Sequence, residues 1–207
     1  MKKKLIALFS LFLFSCSSTQ LVTSWKAPDA TVRKFNKILV AGLMGAKDRE
    51  LRENVEAAMV QNLKAKGINA ISAYTTYGPK AFEGLTDKEA AKKISADGFD
   101  GAFTIALLDR SKERNYTPGS VYYTPYATYY SRYWHHYFTL YDRIYNPGYY
   151  TTSTNYILEA NFFNLGNDEL EYSAQTKSFD PSSTKSLAGD FTKTLIDDMI
   201  KKGVIGN

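Results

Sequence analysis

The sequence has one cysteine, Cys16, which excludes an internal disulfide framework and a multi-cysteine metal site. Histidine is nearly as scarce: His135 and His136 are the only two, and they are adjacent. Neighbouring residues of an extended segment point to opposite sides, so this pair does not chelate by itself. Asp142 is the nearest carboxylate, no third ligand stands at a useful spacing, and no metal is expected. G-x-S-x-G, the P-loop, H-E-x-x-H and G-x-G-x-x-G are all missing. With no nucleophile in a recognisable setting, no enzymatic activity and no cofactor are expected. Six prolines and 23% charged residues exclude a disordered or collagen-like chain and leave a globular composition of one-domain size. Nor is there an apolar run of the roughly 20 residues needed to cross a bilayer.

What is there begins with an address. Met1–Lys4 is basic, and Leu5–Phe14 (LIALFSLFLF) is an apolar run broken only by Ser10, the pattern of a signal peptide over 1–15. Removing its three lysines leaves 23 basic against 21 acidic residues, a net charge of about +2. Overall charge therefore implies no nucleic-acid partner. The run closes on Leu13-Phe14-Ser15-Cys16, which resembles the lipobox of bacterial lipoproteins. The resemblance implies that the Cys16 sulfur takes a diacylglycerol and that the residue becomes the acylated amino terminus. Phe14 is bulkier than the small residue usual there; an ordinary secretory signal with a stray thiol at Cys16 is the alternative. With two or more long chains, each buried methylene contributing about 0.8 kcal/mol, the product is tethered to the membrane rather than spanning it. Ser17, Ser18, Thr19 and Gln20 follow without an acidic sorting residue. In lipoproteins this resembles an outer-membrane default, which puts the body in the periplasm.

The mature chain alternates strand and helix signals. Asn36–Gly42 (NKILVAG) reads as a buried strand. From an N-cap at Asp48, Leu51, Val55, Met59 and Leu63 recur every four residues to a stop at Gly67, and Ile68–Tyr74 reads as a second strand. This is a βαβ unit with a parallel, right-handed crossover. Thr86 and Glu89 form a capping box for a second helix ending at Gly98, and Phe99–Leu108 is another apolar strand. Asn155–Phe163 and Glu169–Lys177 read as a hairpin, followed by a helix capped at Ser182 or Ser183 with Leu187, Phe191, Leu195 and Met199 on one face. Thr19–Trp25 reads as an edge strand beside the tether. The expected fold is α/β: a mixed sheet with βαβ units first and a C-terminal β-hairpin plus helix, the helices packed on the sheet. The expected organisation is a tether and edge strand over 16–35 and one domain over 36–207.

Several charged residues invite a bland reading. Lys47–Arg52 reads as a solvated helix start, Asp97 and Asp100 as turn residues rather than a carboxylate set with Asp109, and Lys201 with Lys202 as partners of a helix C-terminus. Gly42-Leu43-Met44-Gly45 reads as a turn that ends a strand.

Within 110–151 neither a helical nor a strand period emerges, and twelve of the sixteen tyrosines fall there. So long a loop in a compact domain is unusual and is commonly functional or disordered. Tyrosine offers a broad apolar face with a polar rim at small rotamer cost. Tyr122, Tyr123, Tyr126, Tyr129, Tyr130, Tyr133, Trp134 and Tyr137 are the candidate binding surface. A protein partner or a glycan such as peptidoglycan suits it; a self-packed aromatic flap without a ligand is the alternative. Base stacking would need a basic groove, and Arg110, Lys112, Arg114, Arg132 and Arg143 against Glu113 and Asp142 are a small excess.

The lipobox, TSWK at 23–26, FNKILVAGLMGAKDRELRENVEAAMVQNLKAKGINAISAY at 35–74, DGFDGAFTIAL at 97–107, the Tyr-rich insert and the closing hairpin and helix together resemble a family of bacterial lipoproteins defined only as a domain of unknown function. They also look like the amino-terminal α/β domain of TolB and like auxiliary lipoproteins of transport complexes. The resemblance covers nearly all the mature chain. It implies an envelope address and an α/β body with an auxiliary or assembly role, and no active site.

Overall fold

The computed structural model describes residues 18–206 except 81, 83 and 132–135, and for 87, 124–131 and 136–142 the backbone alone. It divides into two compact units: unit 1 holds the chain up to Ser111 and from Asn155 on, and unit 2 is Lys112–Thr154.

Unit 1 is a mixed α/β fold. Its strands are β1 (Thr19–Lys26), β2 (Ile38–Leu43), β3 (Ala70–Ser72), the first part of β4 (Gly101–Thr117), the last part of β7 (Tyr149–Asn164) and β8 (Glu169–Phe179). They form a six-stranded sheet in the order β1-β8-β7-β4-β2-β3. β2 runs parallel to β3 and β4, and β8 runs antiparallel to β7 and β1. Ile38 and Val40 point to one side of the sheet, Leu39 and Ala41 to the other, and all four are buried. A strand covered on both faces reads as a continuous apolar run, which is what ILVA is.

On one face lie α1 (Arg49–Ala65) and α4 (Thr184–Lys201). Leu51, Val55, Met59 and Leu63 from α1 and Leu187, Phe191, Leu195 and Met199 from α4 meet Phe103, Ile105, Phe162 and Tyr172 of the sheet in one core. The four-residue spacing is thus the imprint of two one-sided helices laid on a sheet. Polar pairs fasten the helices to each other: Asn54 and Asn62 donate to the hydroxyls of Thr184 and Thr192 at 2.9 and 2.8 Å. The other face holds a smaller core, in which Ala73 of α2 (Ala73–Tyr77) and Ile94 of α3 (Asp87–Ala96) cover Leu39, Ala41 and Ala102. α3 starts with the expected capping box: the Thr86 hydroxyl accepts from the Glu89 N–H at 3.3 Å, and the Glu89 carboxylate accepts from the Thr86 N–H at 2.8 Å. α4 is capped by Ser183 rather than Ser182.

Two expectations for unit 1 need correction. The second strand, read over 68–74, stops at Ser72, because the Ser72 side chain accepts from the Thr75 N–H and its carbonyl takes the hydroxyls of Thr75 and Thr76. These local bonds turn the chain into α2. Gly42 lies inside β2 instead of following it; a Cβ there would meet Arg52 Cγ at 2.7 Å.

Unit 2 overturns the reading of 110–151 as lacking a strand period. It holds the far part of β4, then β5 (Ser120–Ser131), β6 (His136–Asn146) and the first part of β7. β5 and β6 pair antiparallel from Ser120↔Asn146 to Ser131↔His136, with a register shift between Pro125 and Ala127. Pro118-Gly119 and Pro147-Gly148 occupy the β4–β5 and β6–β7 connections. They press on each other: a Cβ on Gly119 would lie 2.6 Å from the Asn146 carbonyl oxygen, and one on Gly148 would strike the Tyr116 hydroxyl. Tyrosine and threonine at odd and even positions alike erase the polar–apolar alternation that marks a half-buried strand, while their intrinsic β preference remains.

Candidate functional site

Two regions of the described structure have the shape or surface of a site. The first is a cavity of about 660 Å3 beyond the carboxyl end of β2, with walls from Leu43, Met44, Tyr74, Pro79 and Phe82 and with Arg49, Arg52 and Lys80 also lining it. In open α/β sheets this end of the strands is where ligands collect. Its organiser is Glu56, a fully buried carboxylate one turn below. Glu56 accepts from the Gly42 N–H at 2.8 Å, the Tyr74 N–H at 2.8 Å and the Ser72 hydroxyl at 2.5 Å, with Arg52 Nε at 3.4 Å. One side chain of α1 thereby pins the ends of β2 and β3.

The arginines are already partnered. Arg49 pairs with Glu53 at 2.7 Å and Arg52 with Glu56, and both guanidinium groups stand over the Tyr74 ring, at 5.5 and 5.2 Å from its centre. The Arg49 hydrogen bond holds the Glu53 carboxyl below the usual carboxylate range, and the hydrogen bond to Glu53 raises the Tyr74 phenol. Among the described residues its polar lining is Arg49, Arg52, Lys80 and Tyr74.

Neighbouring charges are likewise spent on structure. Asp48 holds the expected N-cap position of α1 but makes no cap bond; it is buried rather than part of a solvated run and takes Arg110 Nη2 at 2.5 Å. Asp100 accepts from the N–H groups of Asn36 and Lys37 at 2.7 and 3.0 Å, and Asp97 accepts from the Tyr77 hydroxyl at 2.5 Å. Burial first, then Asp97, raises the Tyr77 phenol far above its ordinary value. Asp109 is exposed, and among the described residues no three His, Cys, Asp or Glu side chains gather as a metal site. Lys202 donates to the Ser24 carbonyl while Lys26 donates to the carbonyl of Lys202, so these lysines lash β1 to the end of α4.

The second region is the tyrosine-rich unit 2. Tyr122, at 48% exposure, and Tyr123, at 64%, stand open on β5, as do Tyr145 on β6 and Tyr149 and Tyr150 on β7. Tyr150 is braced within the unit: the Tyr116 ring lies 4.8 Å from it and the Arg114 guanidinium 4.8 Å above it. Of the other candidates, Tyr126, Tyr129, Tyr130 and Tyr137 lie on the backbone of β5 and β6, Tyr130 opposite Tyr137 and Tyr126 at the register shift. Tyr133, Trp134 and Cys16 lie outside the described residues. Tyr145, Tyr149 and Tyr150 were missing from the sequence-read surface. The Pro-Gly pairs at 118–119 and 147–148 are the signal that brings them to it, because they fold the tract into adjacent strands.

No family model matches the chain, and no curated protein matches it. Among solved structures, the PelC dodecamer from Paraburkholderia phytofirmans is 12% identical, with 86% of this chain and 94% of that chain covered at a TM-score of 0.45. Lipoprotein GNA1162 from Neisseria meningitidis is 15% identical, with 80% and 98% covered at a TM-score of 0.42. Similarity this weak transfers neither fold nor function. No helix among the described residues is long and apolar enough to cross a membrane.

Proposed function

We propose that the chain is a non-enzymatic auxiliary component of the bacterial cell envelope, held by lipid on Cys16 at the periplasmic side of the outer membrane, and that unit 2 docks it onto a partner protein. The observation that carries the docking is the set of open tyrosines of unit 2 among the described residues, Tyr116, Tyr122, Tyr123, Tyr145, Tyr149 and Tyr150, on the two-stranded sheet and the strands that flank it in sequence. A two-stranded sheet hides little apolar surface and is marginally stable alone in water, so a partner that covers those rings stabilises it. Tyrosines are rigid and amphipathic, and such side chains dominate the energetic centres of protein interfaces. In this reading the lipobox supplies the tether.

The test is a cross-linked pull-down of the lipidated protein from its native envelope, run beside a variant with Tyr122, Tyr123, Tyr149 and Tyr150 all changed to serine. The reading expects a discrete protein held by the wild type, with at least about tenfold less recovered by the variant, the loss expected when central aromatic anchors are removed. Equal recovery, or saturable binding of cell-wall fragments that disappears with the same four changes, contradicts it; the latter result establishes a glycan receptor instead.

A further inference from the structure

β1 ends the six-stranded sheet, so one side of its backbone has no strand beside it among the described residues. Edge strands ordinarily carry charges or prolines that keep other chains from adding to them. Thr19–Trp25 (TQLVTSW) carries neither, and the one charge of β1, Lys26 at its end, is engaged with the carbonyl of Lys202. Instead Leu21 stands exposed, with Val22 at 59% and Trp25 at 48%. Phe179 joins them at the start of the strand, where its N–H donates to the Ser18 carbonyl at 3.0 Å.

The register sets where these groups lie. Leu21 is opposite Thr176 and Trp25 opposite Ser173, with a register shift at Val22 between them. Residues 173 and 176 face opposite sides of β8, so the apolar groups project on both faces of the rim. A flat partner surface would reach only one of them. A medium that surrounds the rim reaches all.

The chain upstream says which medium. Only Ser17 and Ser18 lie between Cys16 and Thr19, and an extended chain covers no more than about 11 Å over those three steps. Lipid on Cys16 would therefore hold the start of β1 against the bilayer surface. We infer that the β1 edge lies in the bilayer interface, with Leu21, Val22 and Phe179 at the boundary of headgroups and acyl chains and Trp25 along it. The inference rests on the tether proposed above. Depth is limited because the backbone on the side of β1 where no described strand lies finds hydrogen bonds among headgroups and water but none in hydrocarbon. Tryptophan favours that same layer.

The chain has two tryptophans, so Trp134→Phe leaves Trp25 as the sole reporter. The lipidated full chain carrying that change is placed on vesicles of phosphatidylethanolamine and phosphatidylglycerol that contain brominated lipids. Trp25 emission is expected to shift to the blue and to be quenched more by bromines near the headgroup than by bromines near the chain ends. Adding Leu21→Ser and Val22→Ser is expected to reverse both changes while the far-ultraviolet circular dichroism stays the same. If the protein remains on the vesicles and Trp25 is quenched at neither depth, the inference fails and the tether stands. If the protein washes off and its mature mass carries no lipid, the tether fails and takes the inference with it. Disulfide-linked pairs of a Val22→Cys variant on the same vesicles would overturn it in favour of an edge covered by a second copy.

Discussion

Glu56 is the residue on which the carboxyl end of the parallel strands depends. Removing its carboxylate orphans two backbone N–H groups and a half-buried hydroxyl, and a half-buried guanidinium loses its buried carboxylate partner. Glu56→Ala is expected to destabilise the fold by about 3–5 kcal/mol, with Glu56→Gln milder, measured by denaturant unfolding. A cost below about 1 kcal/mol would show that water replaces the carboxylate. Tyr172 makes a second residue-scale prediction. Its ring is buried and its hydroxyl donates to Asp198 at 2.8 Å; burial first, then Asp198, raises the phenol far above its ordinary value. The unfolded chain gives up that proton near pH 10 and the folded chain keeps it, so stability is full below pH 10 and declines as pH rises above it. Tyr172→Phe should flatten that alkaline decline in a pH series of thermal melts. An unchanged slope would place the sensitivity elsewhere. Neither role was legible in advance: Glu56 looks like one more charge on an amphipathic helix, and Tyr172 finds Asp198 only through the fold, 26 positions away in sequence.

At the scale of elements, legibility followed periodicity. α1 and α4 bury one stripe each and β2 is covered on both faces, so their patterns survive in the sequence and the βαβ unit, the hairpin and the last helix could be read from it. The capping box of α3 is local chemistry and was equally plain. β3 was overread because serine and threonine side chains redirect the chain at Ser72, and β5 and β6 were missed because Tyr and Thr recur at odd and even positions alike. The α1–α4 contact is central to the larger core. Leu195→Ala is expected to cost about 2–5 kcal/mol in unfolding free energy. Changing Gly119 or Gly148 to alanine should disturb unit 2, since a Cβ at either meets backbone atoms closer than 3 Å. Amide hydrogen exchange should then quicken in β5 and β6 while β2 stays protected; uniform protection would mean that the paired turns tolerate the extra carbon.

For the whole molecule, the account separates what holds the chain in place from what it recognises. Unit 1 carries the buried core and the edge strand β1, and unit 2 carries the open tyrosines. Of the sequence-read surface, Tyr122 and Tyr123 are exposed on β5, while Tyr133 and Trp134 lie outside the described residues. The most direct measurement is site-specific photo-cross-linking in living cells of the native host, with a photoreactive residue at position 123 of the lipidated chain and at exposed Lys193 on α4 as the control. The account predicts a discrete protein adduct at 123 and none at 193. Equal labelling at both positions, or no protein adduct at 123 in a chain that still fractionates with the membrane, would contradict it.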